Sequence, residues 1–496
     1  MARTLCQIAV VSILCLSTIA SADPTAEPAI EIGPPKAGWE LFVDKYLIDV
    51  VKGDVELQLN KPIAREVVMI HDKPWEGNTC GYNTTFKDGD LYRMYYRGWN
   101  HDEKTQKQVH QAVVCYAESR DGIHWSRPNL GLVAFNGSKD NNIILEGLGS
   151  HNFTPFKDAN PDCLPEARYK AVARGEGDDN RKLFAFQSAD GIHWSAQGGT
   201  KGEPILTEGA FDSQNLAFWD PVRNEYRCYF RDFRSGVRDI KTSTSKNFIH
   251  WTKPVWLKYP GAPKEHLYTN QIQPYYRAPH IFIGLPTRYM PERGSLTEGL
   301  LMTSRDGQTF YRWAEAIIRP GRNRDKWHNR SNYIWLGMVE TKSHLPGAGK
   351  ELSLYSNERY YEGPGVKTRR YTYRIDGFVS LHASFQGGEV ITKPIIFKGS
   401  KLLINFSTSA AGSVRVEIRE AGGNPISGYT LSECSEVYGD EIARVITWNG
   451  RSGLSKLAGK AIRLRFVLRD ADLFAFGFGA ANEFRQARKA IRIGKK

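Results

Sequence analysis

Short runs of alternating apolar and polar residues recur in pairs along the chain: 82–86 with 91–96, 152–156 with 169–173, 215–219 with 226–230, and 270–276 with 281–285. Alternation at a period of two sends successive side chains to opposite faces of a strand, and such closely spaced pairs predict antiparallel hairpins. A fifth pair, 332–339 with 352–355, follows the same plan. The stretch 39–49 ahead of them reads as a strand that completes their array or caps its base. Beyond residue 384 the pattern changes to strands such as 401–407, 413–418 and 461–467, divided by Gly, Asn and Ser turns, which is the signature of a β-sandwich. An aromatic content of 12% with 46 glycines agrees with strands and turns rather than long helices.

Four of the five pairs are followed by one repeated element. It reads Ser119-Arg-Asp-Gly-Ile-His-Trp125, Ser188-Ala-Asp-Gly-Ile-His-Trp194, Ser245-Lys-Asn-Phe-Ile-His-Trp251 and Ser304-Arg-Asp-Gly-Gln-Thr-Phe310, with closing aromatics 69, 57 and 59 residues apart. That period suits a four-stranded propeller blade with generous loops. The Asp-Gly step supplies the left-handed residue of a tight turn, and the aromatic beyond it is placed to pack between neighbouring blades. The repeated His and Trp are therefore read as structural.

The Ser-x-Asp-Gly-x-x-Trp repeat at this spacing resembles the five-bladed β-propeller glycosidases, a group that includes arabinanases, xylosidases, invertases and the related mannoside phosphorylases. The resemblance covers 62–383 and implies an all-β chain: a five-bladed β-propeller, expected to be catalytic, followed by a C-terminal β-sandwich over 384–481. The remaining divisions are a leader over 1–22, a strand or cap segment over 23–61 and a basic tail over 482–496.

In such a propeller the innermost strands begin at one face, and side chains near those starts converge on a central pocket. Asp212, just before the third inner strand, and Glu358, just after the second strand of the fifth unit, belong to that face; Glu76, upstream of the first inner strand, joins them. Glycosidic cleavage uses one carboxylic acid to protonate the leaving oxygen and one carboxylate to activate water or attack carbon, so these three are the candidate catalytic residues. Asp232 and Glu340 stand in reserve, whereas Asp158 and Asp220 fall in hairpins on the opposite face. The structural alternative for each acid is a solvent-facing loop position or a partner for an arginine.

An arginine follows the second strand of every unit, at Arg97, Arg174, Arg231, Arg288 and Arg359. A rim of guanidinium groups would suit carboxylate or sulfate groups on a glycan, because the planar fork donates paired hydrogen bonds to oxyanions. The alternative is an ion pair repeated with the blade. Asn83, His151, Asn152, Asn215 and Asn270 are placed to bind sugar hydroxyls. No motif specifies a metal, and an axial structural Ca²⁺ held by water and carbonyl oxygens would leave almost no trace in a sequence.

Residues 1–22 carry Arg3, an apolar run from Ile8 to Leu16, and the small-residue exit Ala20-Ser21-Ala22, the pattern of a cleavable signal peptide; a secreted or periplasmic protein is expected. The apolar run is too short to anchor the chain in a bilayer, so no membrane insertion is expected. Of the formal charge of +13, Arg3 leaves with the leader and six charges sit in the last twelve residues, leaving a body only modestly positive. No nucleic-acid-binding signature accompanies that charge, and nucleic acid is not expected as a partner. Cys80, Cys115, Cys163, Cys228 and Cys434 are an odd set, which speaks for free thiols over a disulfide framework. The function that follows is a secreted glycoside hydrolase acting on a plant or algal, and in part anionic, polysaccharide or oligosaccharide. Its rivals are a glycan-binding propeller without catalysis and a phosphorylase or transferase on the same scaffold.

Overall fold

The paired runs form hairpins in the computed structural model, which describes residues 28–32, 38–102, 104–105, 107–199, 202–363 and 365–479; the expected leader and basic tail lie outside them. The chain is all-β, and the only helical turns among the described residues are four of three residues each. Sheet I contains Gly81–Asp88, Leu91–Asp102, Lys107–Ser119 and Trp125–Ser126 in consecutive order, with Ile143–Glu146 added to its third strand. Sheet II repeats the meander with Thr154–Lys157, Tyr169–Arg174, Leu183–Ser188 and Ser195–Ala196, and Pro204–Leu206 joins its third strand. Sheet III follows with Leu216–Asp220, Glu225–Arg234, Val237–Ser245 and Val255–Trp256. Sheet IV is built of Gln273–Tyr275, Ala278–Gly284, Met302–Ser304 and Tyr311–Arg312.

Sheet V is assembled from both ends of this region. Val339–Lys342, Lys350–Glu358 and Val366–Tyr373 are completed by Ile63–His71, antiparallel to the third of them. The strand that completes the array is thus 63–71, and the earlier run at 39–49 goes elsewhere: Trp39–Leu41 pairs with the strand Ile462–Gly479. That last strand also pairs with Val379–Thr392 and Lys401–Glu420 in an eight-stranded sheet, to which Ile48–Leu59 contributes an edge. Residues before 62 and after 378 therefore share one sheet and one apolar core, around Phe42, Phe406, Phe466 and Phe476.

Five apolar layers show which sheets touch. Sheets I and II pack through Tyr95, Phe153 and Phe186, sheets II and III through Leu183, Phe230 and Phe248, and sheets III and IV through Tyr229, Phe282 and Met302. Sheets IV and V meet through Ile283, Leu354 and Tyr371, and sheet V returns to sheet I through Met69, Val366 and Met94.

The repeated element supplies a polar hook at these boundaries. In the first copy the Asp121 carboxylate accepts from the backbone N–H of Ile123 and His124 and from His124 Nδ1, while the Ser119 hydroxyl accepts from the Gly122 N–H. This cage holds Gly122 in the left-handed region at φ 74° and aims its carbonyl at the preceding sheet. Tyr355 of sheet V donates its hydroxyl to Gly122 O, Tyr95 of sheet I to Gly191 O, and Tyr229 of sheet III to Gly307 O. In the third copy Phe248 takes the glycine position at φ 67°, and its ring packs on Phe156 of sheet II instead.

The fifth unit lacks this element and differs in its first strand as well. The regular ladder of sheet V begins at Val339; ahead of it Asn332 N and Trp335 N still donate to Asn357 O and Tyr355 O of the second strand, whereas Leu336 turns to sheet I, where Thr85 N donates to Leu336 O and Leu336 N to Asn83 O. The crossing is tight: a Cβ on Gly337, which sits at φ 111°, would lie 1.8 Å from Thr85 O. The substitution Gly337→Ala is expected to destabilise the protein by roughly 2–4 kcal/mol through steric overlap and backbone strain. Thermal denaturation checks this, with Gly89→Ala, where a Cβ meets nothing within 4 Å but φ is also positive, separating overlap from strain.

Candidate functional site

The segments leading into the inner strands meet one another through buried amides. Gln214 Nε2 reaches Tyr82 O, Asn83 O and Thr84 Oγ1 at 3.1–3.2 Å, and Gln271 Nε2 donates to Gln214 Oε1 at 2.7 Å and to Ile334 O at 3.0 Å. Asn152 donates to Phe211 O and Ser213 O, and the Ser213 hydroxyl donates to Tyr268 O. All five sheets are joined in this way at one place. Non-glycine residues with left-handed φ gather there too, among them Tyr82, Phe211, Gln271 and Asn332. Strain of this kind persists only where its surroundings over-determine it, and it concentrates at sites of function.

Asp212 stands at this convergence. Its side chain is 50% exposed, and it is ion-paired to Arg231, whose own side chain is 2% exposed and lies 4.8 Å over the Tyr268 ring. Arg97 lies on the same face, buried between the rings of Tyr82 and Trp99, and donates to Tyr360 Oη and Thr79 O. Its Nη1 is 3.2 Å from His151 Nε2. Burial, together with the charges of Arg97 and Arg174, holds His151 well below the ordinary histidine range, so the ring is neutral and presents an acceptor to Arg97. Arg174 feels both Asp212 and Arg97; burial outweighs the attraction of Asp212 and holds it below the usual arginine range.

The other two candidate carboxylates are buried, each against an arginine of its own. Glu358 is buried in a fork of bonds from Arg369, at 2.6 and 3.2 Å, beside Lys326, whose ammonium burial lowers to about 8. Glu76 is fully buried between sheets V and I, where Arg127 donates at 2.7 and 3.2 Å, Tyr96 Oη at 2.6 Å and Lys73 N at 3.0 Å. All three acids are paired to an arginine, Asp212 to Arg231, Glu358 to Arg369 and Glu76 to Arg127; Asp212 differs in being half exposed where the other two are buried. Asp232 pairs with Lys241, and Glu340 with Lys350 and the Tyr276 hydroxyl. Asp158 and Asp220 sit at hairpins as expected, bound to Lys170 and Tyr226 and to Arg223 and Arg227.

The arginine series divides. Arg97, Arg174 and Arg231 share the site, but Arg288 is held by Glu265 and Glu298 in the small sheet inserted before Met302, and Arg359 turns to Asp325 and Glu362 O. Two arginines outside the series take their place: Arg238 and Arg330 both lie over the rings of Tyr268 and Tyr289. Arg238 is on a third strand and Arg330 in the segment before sheet V, so the position after a second strand could not reveal them; the only signal was their type. The amides are mainly architectural. Asn152 and Asn270 bond backbone groups, and Asn83 and Asn215 donate to Met94 Sδ and Phe211 O, each leaving Oδ1 buried without a partner.

Among the described residues no group of three or more His, Cys, Asp or Glu side chains is placed to share a metal ion, so the Ca²⁺ of the sequence reading would rest on carbonyls and water. The five cysteines among the described residues are free thiols, and no described helix is long and apolar enough to cross a membrane. Hollows of about 320 Å³ near Tyr259 and Arg312 and about 630 Å³ on the large sheet contain none of the candidate acids.

No family model matches the sequence. Two uncharacterized proteins, from two strains of Mycobacterium tuberculosis, are 27% and 28% identical to it over 202 residues, 39% of this chain and 56% of theirs; the chain thus spans about half the length of the curated relatives it matches. Among solved structures, a glycoside hydrolase superposes with a TM-score of 0.44 at 13% identity, over 62% of this chain and 92% of its own. A member of the mannoside phosphorylase family that contains glycoside hydrolases targeting β-1,2 mannosidic linkages in Candida mannan gives 0.41 at 14% identity, over 67% and 96%. An N-acetylgalactosamine deacetylase from F. plautii, in complex with blood group B trisaccharide, gives 0.39 at 11%, over 70% and 95%.

The Glu76 assignment has a measurable consequence. Burial works against its charge, but His71, Arg127 and the Tyr96 hydroxyl outweigh that and hold the carboxyl at about 2 against an ordinary 4.5. Because the folded-state value is depressed, the stabilisation is present at neutral pH and is lost as pH falls from about 4.5 toward about 2. Glu76→Gln is expected to cost on the order of 3 kcal/mol at pH 7 and to flatten the acid limb of the stability curve. Denaturant titrations between pH 7 and pH 3 read both effects; an unchanged stability with lost activity would return Glu76 to the catalytic set.

Proposed function

We propose that sheets I to V are the blades of a five-bladed β-propeller, that the eight-stranded sheet is folded as a β-sandwich, and that the chain is an exported glycoside hydrolase working at the centre of the propeller. The cyclic contact of the five sheets supports the propeller, and the leader pattern of residues 1–22 supports export. One observation carries the enzymatic reading: Asp212 is an accessible carboxylate fixed by a buried guanidinium where the inner segments of all five sheets converge, among the rings of Tyr82, Trp99, Tyr268 and Tyr360. Aromatic faces pack against the apolar faces of sugar rings, and a positioned carboxylate activates water, attacks the anomeric carbon or, once protonated, delivers a proton to the leaving oxygen. The substrate class is a plant or algal polysaccharide or oligosaccharide.

A second reading, phosphorolysis or transfer, is favoured by the buried arginine N–H groups beside Asp212 that have no acceptor in the protein. If an oxyanion held by the arginines attacks carbon, no base is needed to activate water, and one carboxylic acid suffices. Incubation with neutral, uronic and sulfated glycans, with and without inorganic phosphate, separates the two: free reducing sugar means hydrolysis and a sugar phosphate means phosphorolysis. Asp212→Asn is expected to lower turnover by roughly 10²- to 10⁴-fold while the melting temperature stays nearly constant. Full activity in that variant would remove Asp212 from the chemistry, and tight glycan binding with no product from any substrate would make the protein a binding module.

A further inference from the structure

Elsewhere in this protein the buried arginines are matched by carboxylates. Arg370 is held by Glu66 and Glu351, Arg305 by Glu40 and Asp44, and Arg288 by Glu265 and Glu298. Around Asp212 this balance fails. Among the described residues Arg97, Arg174, Arg238 and Arg330 make no ion pair and Arg231 has Asp212 alone, with the exposed Glu176 near Arg174.

The shortfall can be located atom by atom. Arg231 is 1% exposed and gives Nη2 to Asp212, yet its Nε and Nη1 are buried without an acceptor. The Nε atoms of Arg174, Arg238 and Arg330 are likewise buried without one. The Tyr268 ring covers the guanidinium faces of Arg231, Arg238 and Arg330, so it is the N–H edges that remain to be satisfied. A buried cationic donor without an acceptor is costly, and water alone satisfies it less well than an anion does. The planar fork presents just the paired donors that a carboxylate or sulfate accepts.

We infer that this site binds a glycan through an oxyanion carried on the sugar, a carboxylate or a sulfate, received by Arg174 and the free edge of Arg231. The inference rests on the reading of the site as a glycan site and adds the substrate's charge and the residues that recognise it. Arg97 lies behind them, committed to Thr79 O, Tyr360 and His151, and orients the wall rather than gripping the ligand. Arg288 and Arg359 take no part.

Calorimetry on the full chain carrying Asp212→Asn tests this without interference from turnover. The probes are uronic oligosaccharides and their carboxyl-reduced counterparts, sulfated oligosaccharides and their desulfated counterparts, and inorganic phosphate. Acidic oligosaccharides are expected to bind about tenfold or more tightly than their neutral partners, and Arg174→Gln should erase that difference. The basic tail is present in every variant, so it cannot produce a difference that depends on Arg174. Arg174→Lys, which keeps the charge but not the fork, should recover only part of the preference. Equal affinity for acidic and neutral partners would overturn the inference while leaving the glycan reading intact. Phosphate binding that depends on Arg174, with no preference for acidic glycans, would assign the site to a free oxyanion. Failure of every oligosaccharide to bind would overturn the glycan reading and this inference together.

Discussion

Gln214 and Gln271 are buried side chains whose amides must find partners in the interior, and the partners they find belong to other sheets. A buried N–H left without an acceptor costs more than a formed bond contributes, so the geometry that gives both Nε2 groups their acceptors is strongly selected over its neighbours, even though Gln271 Oε1 is left without a donor. That geometry brings the entries to the inner strands together and holds Tyr82 and Gln271 in left-handed backbone conformations that neither would adopt alone. Asp212 lies two residues before Gln214, and its placement beside Arg231 follows from this relay. The relay is a requirement of the site as much as of the fold.

Farther out, the same economy is met by a different device. Each complete copy of the repeated element spends its Ser and Asp side chains on its own backbone, which fixes the turn, and leaves one glycine carbonyl for a tyrosine of the preceding sheet. Three boundaries, between sheets V and I, I and II, and III and IV, are thereby tied by one hydrogen bond each. The third copy keeps the cage with Asn247 and substitutes a phenylalanine ring for the bond, which shows that the boundary needs a contact rather than a particular donor.

Sheets I to IV were legible in the sequence because the strands of each follow one another along the chain, so period-two alternation and a repeated turn locate them directly. What was not legible is long-range. The strand 63–71 carries no turn linking it to its partner 366–372, and 48–59 finds 379–392 across the whole of the five-sheet region. At the site, reasoning from which face each strand end occupies brings Asp212, His151, Arg97, Arg174 and Arg231 to one place. It could not show that Glu76 and Glu358 are buried against Arg127 and Arg369 while Asp212 stays half exposed, because burial depends on residues distant in the chain or on a neighbouring strand. Nor could it supply Arg238 and Arg330, whose approach to Tyr268 depends on how sheets III, IV and V meet.

In the reading proposed above, the excess of guanidinium edges around Asp212 is a binding surface for an acidic glycan. A crystal structure of the Asp212→Asn protein with a uronic or sulfated oligosaccharide tests this most directly. Sugar density is expected over the rings of Tyr82 and Tyr268, with an oxyanion within hydrogen-bonding distance of Arg174 and of Arg231 Nε or Nη1. Density confined to the hollow near Tyr259 and Arg312, or a ligand whose charged group points away from these arginines, would contradict this reading.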